Sequence, residues 1–222
     1  MKRGQITLFA LLGIVLIIVV ALIFLIMNQS RTSPGLDAQQ TGASFFVKSC
    51  VSNLLTEGNL IISNQGGYIY PPQPTTELFI YNIPYFDDGV VLAATIEENL
   101  ASYIDENMDS CIQSSDFEGL NLEGLSVTTS SVMLGDGGYT VATRFTYEGS
   151  EYVISNSKES AMNELLELAK GVLESYDVNE GFDSMLLSGL QSIHNAEIEI
   201  IPIAGQNIIN IEKGESFLVF VI

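Results

Sequence analysis

Residues 126–155 read SVTTSSVMLGDGGYTVATRFTYEGSEYVIS, and the rhythm of this stretch decides the fold. From Leu125 the apolar period is two, in the runs Ser126–Leu134, Tyr139–Tyr147 and Glu151–Ser155. Between them lie the glycine-bearing turns Gly135-Asp136-Gly137-Gly138 and Glu148-Gly149-Ser150. Alternation broken by such turns predicts a three-stranded antiparallel meander, because glycine accepts the backbone angles that a tight turn demands. The first turn carries one carboxylate and reads as a hairpin turn, not as a phosphate or calcium loop.

On both sides of the meander the period lengthens to that of a helix. Upstream, Thr95 and Glu98 have the spacing of a capping box, followed by Ile96, Leu100, Tyr103, Ile104, Met108, Cys111 and Ile112 on one face. Further upstream, Ala43 to Ile62 places Phe46, Val47, Cys50, Val51, Leu54 and Leu55 at intervals of three and four, which predicts another amphipathic helix. Downstream, a third helix is expected to open near Asn156, with Glu159 three residues on, and a fourth to run from Phe182 to Ile193; both read as core-packing helices. The chain closes with three strand-like segments, Glu197–Ile203, Asn207–Glu212 and Ser216–Ile222. The last ends in six apolar residues, which predicts a strand covered within the domain's sheet or by a partner. The expected class is α+β, with amphipathic helices packed on antiparallel strands.

Cys50 and Cys111 are the only cysteines and both sit on apolar helix stripes. Helix faces that cover one another would make the two sulfurs neighbours, and a bridge closing about 60 residues contributes about 4 kcal/mol on the chain-entropy estimate. Two separate buried thiols are the alternative.

Between the first two helices, residues 66–86 hold four of the six prolines and six aromatic rings, which predicts extended chain. Tyrosines pair apolar area with a hydroxyl, so Tyr68, Tyr70, Tyr81, Tyr85 and Phe86 form the candidate recognition surface; a loop wrapping a small core uses the same residues. Asp87-Asp88-Gly89 is the better calcium candidate by residue type, though it lacks further ligands at fixed spacing.

At the N-terminus, Ile6–Met27 is a run of 22 residues in which only Thr7 and Gly13 are not strongly apolar and none is charged. As a helix it reaches about 33 Å, enough for a hydrocarbon core of about 30 Å. Lys2 and Arg3 precede it and favour a cytoplasmic N-terminus. The expected organisation is a basic leader (1–4), a transmembrane helix (5–27), a stalk (28–42) and one extracytoplasmic domain (43–222). Asn28-Gln29-Ser30 fits a glycosylation sequon but lies against the membrane.

All 27 acidic residues and six of the eight basic ones follow Met27, leaving the exported part with a surplus of 21 negative charges. That balance argues against nucleic acid as a partner and suits a solvated surface in a salty exterior. The expected partners are the lipid bilayer, copies of the same helix, and a cell-surface protein or glycan. Little speaks for catalysis. His194 is the single histidine, at the end of an expected helix, and no zinc spacing, P-loop or nucleophile elbow occurs. Glu97, Glu98, Asp105, Glu106 and Asp109 lie mostly off their helix's apolar stripe and read as a solvated face. No cofactor or resident metal is expected. A carboxylate-dependent exported hydrolase is the alternative from another class.

The opening Lys2-Arg3-Gly4-Gln5-Ile6-Thr7-Leu8-Phe9 resembles the archaeal class III signal peptide of type IV pilin-like proteins. The resemblance implies cleavage between Gly4 and Gln5 on the cytoplasmic side, with the helix retained and able to self-associate. Phe9 stands where many of that family carry a glutamate. The rest, with the Gln65-Gly66-Gly67-Tyr68-Ile69 turn, Ile83-Pro84-Tyr85 and the cysteine-bearing helices, resembles single-span archaeal surface proteins, which implies a setting and favours the Cys50–Cys111 pairing. The expected role is structural, adhesive or filament-forming at a cell surface, with a permanently tethered monomer as the other reading.

Overall fold

The computed structural model describes residues 37–222 apart from Phe79, Asp87, Asp88, Val90, 115–121, Glu123 and Val178. The apolar run, the leader with Gly4 and Gln5, and the first part of the stalk lie outside the described residues. No helix among the described residues is long and apolar enough to cross a membrane. The elements follow in the order α1 (Asp37–Asn64), β1 (Thr75–Leu78), β2 (Tyr81–Pro84), α2 (Ala93–Ser114), β3 (Ser126–Gly135), β4 (Gly138–Tyr147), β5 (Ser150–Glu159), α3 (Met162–Glu174), β6 (Tyr176–Asp177), β7 (Gly181–Phe182), α4 (Ser184–His194), β8 (Glu197–Ile203), β9 (Gln206–Lys213) and β10 (Ser216–Val221). The class is α+β and every sheet is antiparallel.

The stripe on α1 is real: Ala43, Phe46, Val47, Cys50, Val51, Leu54, Leu55 and Ile62 are all buried. α2 turns Ile96, Leu100, Tyr103, Ile104 and Met108 into the same core. The two helices run antiparallel. Cys50 is bonded to Cys111, and two turns or more along each helix Gly58 faces Leu100 and Tyr103 so closely that an added Cβ would lie 2.9 Å from Leu100. Glycine is what permits that approach.

The meander forms with order β3-β4-β5, and its inner face buries Tyr139, Val141, Phe145 and Tyr147. A buried hydroxyl pair, Ser130 Oγ and Thr143 Oγ1 at 3.0 Å, satisfies two of the polar groups that the alternation leaves on that face, where Asn156 of β5 is a third. The C-terminal segments build a separate three-stranded sheet, β10-β9-β8, instead of joining the meander. Its core face carries Ile209, Ile211, Leu218 and Phe220 toward α3, and its other face packs Ile208 and Val221 against Ile83 of the β1–β2 hairpin. The apolar C-terminus is thus a covered strand.

Three expectations are corrected. Asn156 and Glu159 belong to β5, not to a helix start, because β4 offers a partner to every residue up to Glu159 and ladder pairing outweighs a cap-like polar run. α2 begins at Ala93, before the Thr95–Glu98 pair, since the Leu92 carbonyl already accepts from the N–H groups of Thr95 (2.9 Å) and Ile96 (3.3 Å). α4, capped by Asp183, which accepts from the N–H groups of Met185 and Leu186, is not a core helix: it has no fully buried residue, and Met185 is 84% exposed. It meets α3 where Gly171 leaves room for Leu190, and only that flank is half-buried.

Candidate functional site

The aromatic segment after α1 is organised by one amide. Gln65 is 6% exposed; its Nε2 donates to the main-chain oxygens of Ile69 (2.8 Å) and Tyr68 (3.2 Å), and its Oε1 accepts from Asn82 N–H (3.2 Å). Asn99 of α2 accepts from Ile69 N–H at 3.1 Å. The turn between them needs Gly66 and Gly67, both at positive φ, and an added Cβ on Gly67 would lie 2.2 Å from Val91.

These fastenings disperse the residues expected to form a recognition surface. Phe86 is in the core, its ring stacked on Phe220 at 4.5 Å between centroids. Tyr85 shares a 2.7 Å hydrogen bond with Thr76 Oγ1, which in turn donates to Gln206 Oε1 at 2.9 Å. Tyr68 is half-buried against the core, and burial raises its phenol above the usual range. Tyr81 opens β2, paired with Leu78, and is half-buried. Tyr70 stands out, 67% exposed, donating to Glu106 Oε2 at 3.0 Å; that hydrogen bond and the carboxylate's charge raise its pKa.

The acidic face of α2 also does something periodicity did not reveal. Glu97 Oε1 accepts from Leu134 N–H at 2.7 Å, and Asp105 Oδ1 from Ser130 N–H at 2.9 Å. Eight helical residues rise about 12 Å and four strand residues about 13 Å, so the two carboxylates match the outer edge of β3 in register. Tyr103, on the same helix, is pushed up to about 12 by burial and then by the neighbouring Glu57 carboxylate. His194 ends α4 half-exposed, and its side chain has no hydrogen bond or ion pair among the described residues. Asp87 and Asp88 lie outside the described residues, and no cluster of three or more metal-ligating side chains occurs among the described ones.

A groove lies elsewhere, between α1 and β5. Lys48, Ser49 and Ser52 line it from the helix, Ser155 and Ser157 from the strand, with Phe45 at the rim and a volume of about 380 Å³. A second depression of about 440 Å³ shares Asn53 and continues it past Leu60 and Lys158 toward Phe217. Asn156, 6% exposed, holds the walls together: its Nδ2 donates to the Lys48 main-chain oxygen at 2.8 Å, and its Oδ1 has no partner among the described residues.

The backbone of β5 faces this groove in a defined way. Tyr147 and Ser150 flank the two-residue turn Glu148-Gly149, whose φ angles are 49° and 76°, and residues in that position form a hydrogen-bonded pair. Even-numbered residues 150–158 therefore bond to β4, and the odd-numbered ones turn their N–H and C=O groups to the open side. Nothing among the described residues bonds the main chain of Val153, Ser155 or Ser157 on that side. Sequence reading missed this site, since its signal, a run from Tyr152 to Ser157 without charge, looks like any strand interior until the edge is known. The chain matches no family model, no curated protein and no solved structure.

Proposed function

We propose that this chain is a single-pass, pilin-like surface protein: Ile6–Met27 lies in the bilayer, the N-terminus is cytoplasmic, and the α+β domain outside serves a structural, adhesive or filament-forming role without catalysis. The observation that carries the reading is the uncharged 22-residue run behind Lys2-Arg3-Gly4-Gln5. A Cys50–Cys111 bridge in the following domain accords with it, because disulfides persist where the environment oxidises. Mass spectrometry of protein purified from its native membrane tests the leader: Gln5 is the expected first residue, and a start at Met1 or Lys2 would count against the pilin-like route.

Phe9 favours a second reading. A carboxylate at that position could pair with a neighbour's new amino terminus inside a filament core, and phenylalanine cannot. A permanently tethered monomer would show no filaments by direct imaging of the cell surface, and its solubilised form would stay monomeric.

A further inference from the structure

The other outer strands of the two three-stranded sheets are each engaged at one or two points. The edge of β3 gives two N–H groups to Glu97 and Asp105. On β8 the Ile198 carbonyl accepts from Gln191 Nε2 at 3.3 Å, and Pro202 has no N–H to offer. On β10 the Val221 carbonyl accepts from Phe86 N–H at 3.0 Å, in a parallel bridge to Tyr85. β5 is as long as β4, ten residues, yet its outward groups are unbonded and its centre carries no lysine, proline or bulge, the features that usually guard an edge.

We propose that the groove between α1 and the free edge of β5 binds an extended, acid-bearing polypeptide segment, which adds a fourth strand to the meander. The outward N–H and C=O groups of Val153, Ser155 and Ser157 supply the ladder, at the usual strand spacing of about 4.8 Å. The small side chains of Ser49, Ser52, Ser155 and Ser157 let a backbone approach closely. Charge selects the occupant. The chain's net charge is −19, yet among the described residues lining the groove between Phe45 and Ser157 the one ionic group is Lys48, whose ammonium has no ion-pair partner among them; Glu57 and Glu215 line only the continuation past Asn53. A carboxylate on the incoming strand would complete it. A second copy fits less well, because pairing β5 with β5 brings two bodies of the same strong negative charge together and sets one α1 beside the other. The inference does not depend on the membrane anchor or the leader.

The test uses the full-length protein in detergent micelles and a fluorescent seven-residue probe, alternating threonine and valine with a central glutamate and blocked at both ends. Anisotropy should show saturable binding. The same probe N-methylated at alternate residues should bind at least about tenfold more weakly, because it keeps the side chains and loses the ladder donors. Replacing the probe's glutamate by glutamine, or Lys48→Ala in the protein, should each weaken binding about threefold or more. Lys48 is exposed, so the variant is expected to fold. Hydrogen exchange should slow at Val153, Ser155 and Ser157 on saturation. No saturable binding up to about 1 mM, equal affinity for the N-methylated probe, or protection elsewhere would overturn the proposal. Concentration-dependent dimerisation that protects the same amides without probe would overturn it in favour of self-pairing.

Discussion

The meander β3-β4-β5 shows water a face of Ser131, Thr140, Arg144, Ser155 and Ser157, while the sheet β8-β9-β10 is packed by α3 on one face and by the β1–β2 hairpin on the other. Connectivity is the same in both: three antiparallel strands joined in sequence. What differs is what each edge touches. The C-terminal sheet is engaged at both margins, through Gln191 at β8, where Pro202 also removes a donor, and through Tyr85 and Phe86 at β10. The meander is engaged at β3 and left open at β5. The first sheet keeps one margin open, and the second has neighbours on both faces and at both margins.

That contrast can be broken most directly in the second sheet. Phe220→Ala removes a fully buried ring and its stack on Phe86, and should cost about 4 kcal/mol in urea unfolding. Gly138→Ala strikes the meander instead. A Cβ there would lie 2.2 Å from the Lys158 carbonyl at a φ of +120°, so a loss of about 3 kcal/mol is expected. If the glycine variant proved the costlier of the two, the division of labour between the sheets would be wrong. Removing both carboxylates that cover β3, with Glu97→Ala and Asp105→Ala, should cost about 2 kcal/mol and quicken exchange at Ser130 and Leu134, making that margin resemble β5. The smallest effect is expected on the solvent face. Arg144 and Glu151 pair at 2.8 Å, both more than half exposed, and Glu151→Gln should change stability by less than about 0.5 kcal/mol.

Much of the fold was legible because the chain writes its strands in a period of two and ends them in glycine. The meander and the three C-terminal strands were recovered within a few residues of their observed bounds, and so was the apolar stripe of α1. The errors share a cause. Asn156 to Glu159 looks polar enough to start a helix, but whether a polar run continues a strand depends on the length of its partner, which no local pattern states. Glu97 and Asp105 were read as solvated because helical periodicity reports which side faces out and not what waits there. Phe86 was grouped with the tyrosines by proximity in sequence, while its stacking partner, Phe220, lies at the far end of the chain. The groove was invisible for the same reason, since an edge strand is defined by the neighbour it lacks.

The Cys50–Cys111 bridge has a mechanical consequence. A pull applied through the N-terminal end of the chain enters the domain along α1, and it can draw out only what precedes Cys50 before it meets a covalent cross-link. From there the force passes into α2 and bypasses the span between the two cysteines, whose sequence separation is 61. About 200 Å of contour is thereby withheld from extension, and the hairpin and Gln65 turn within that span stay unloaded while the rest bears the tension.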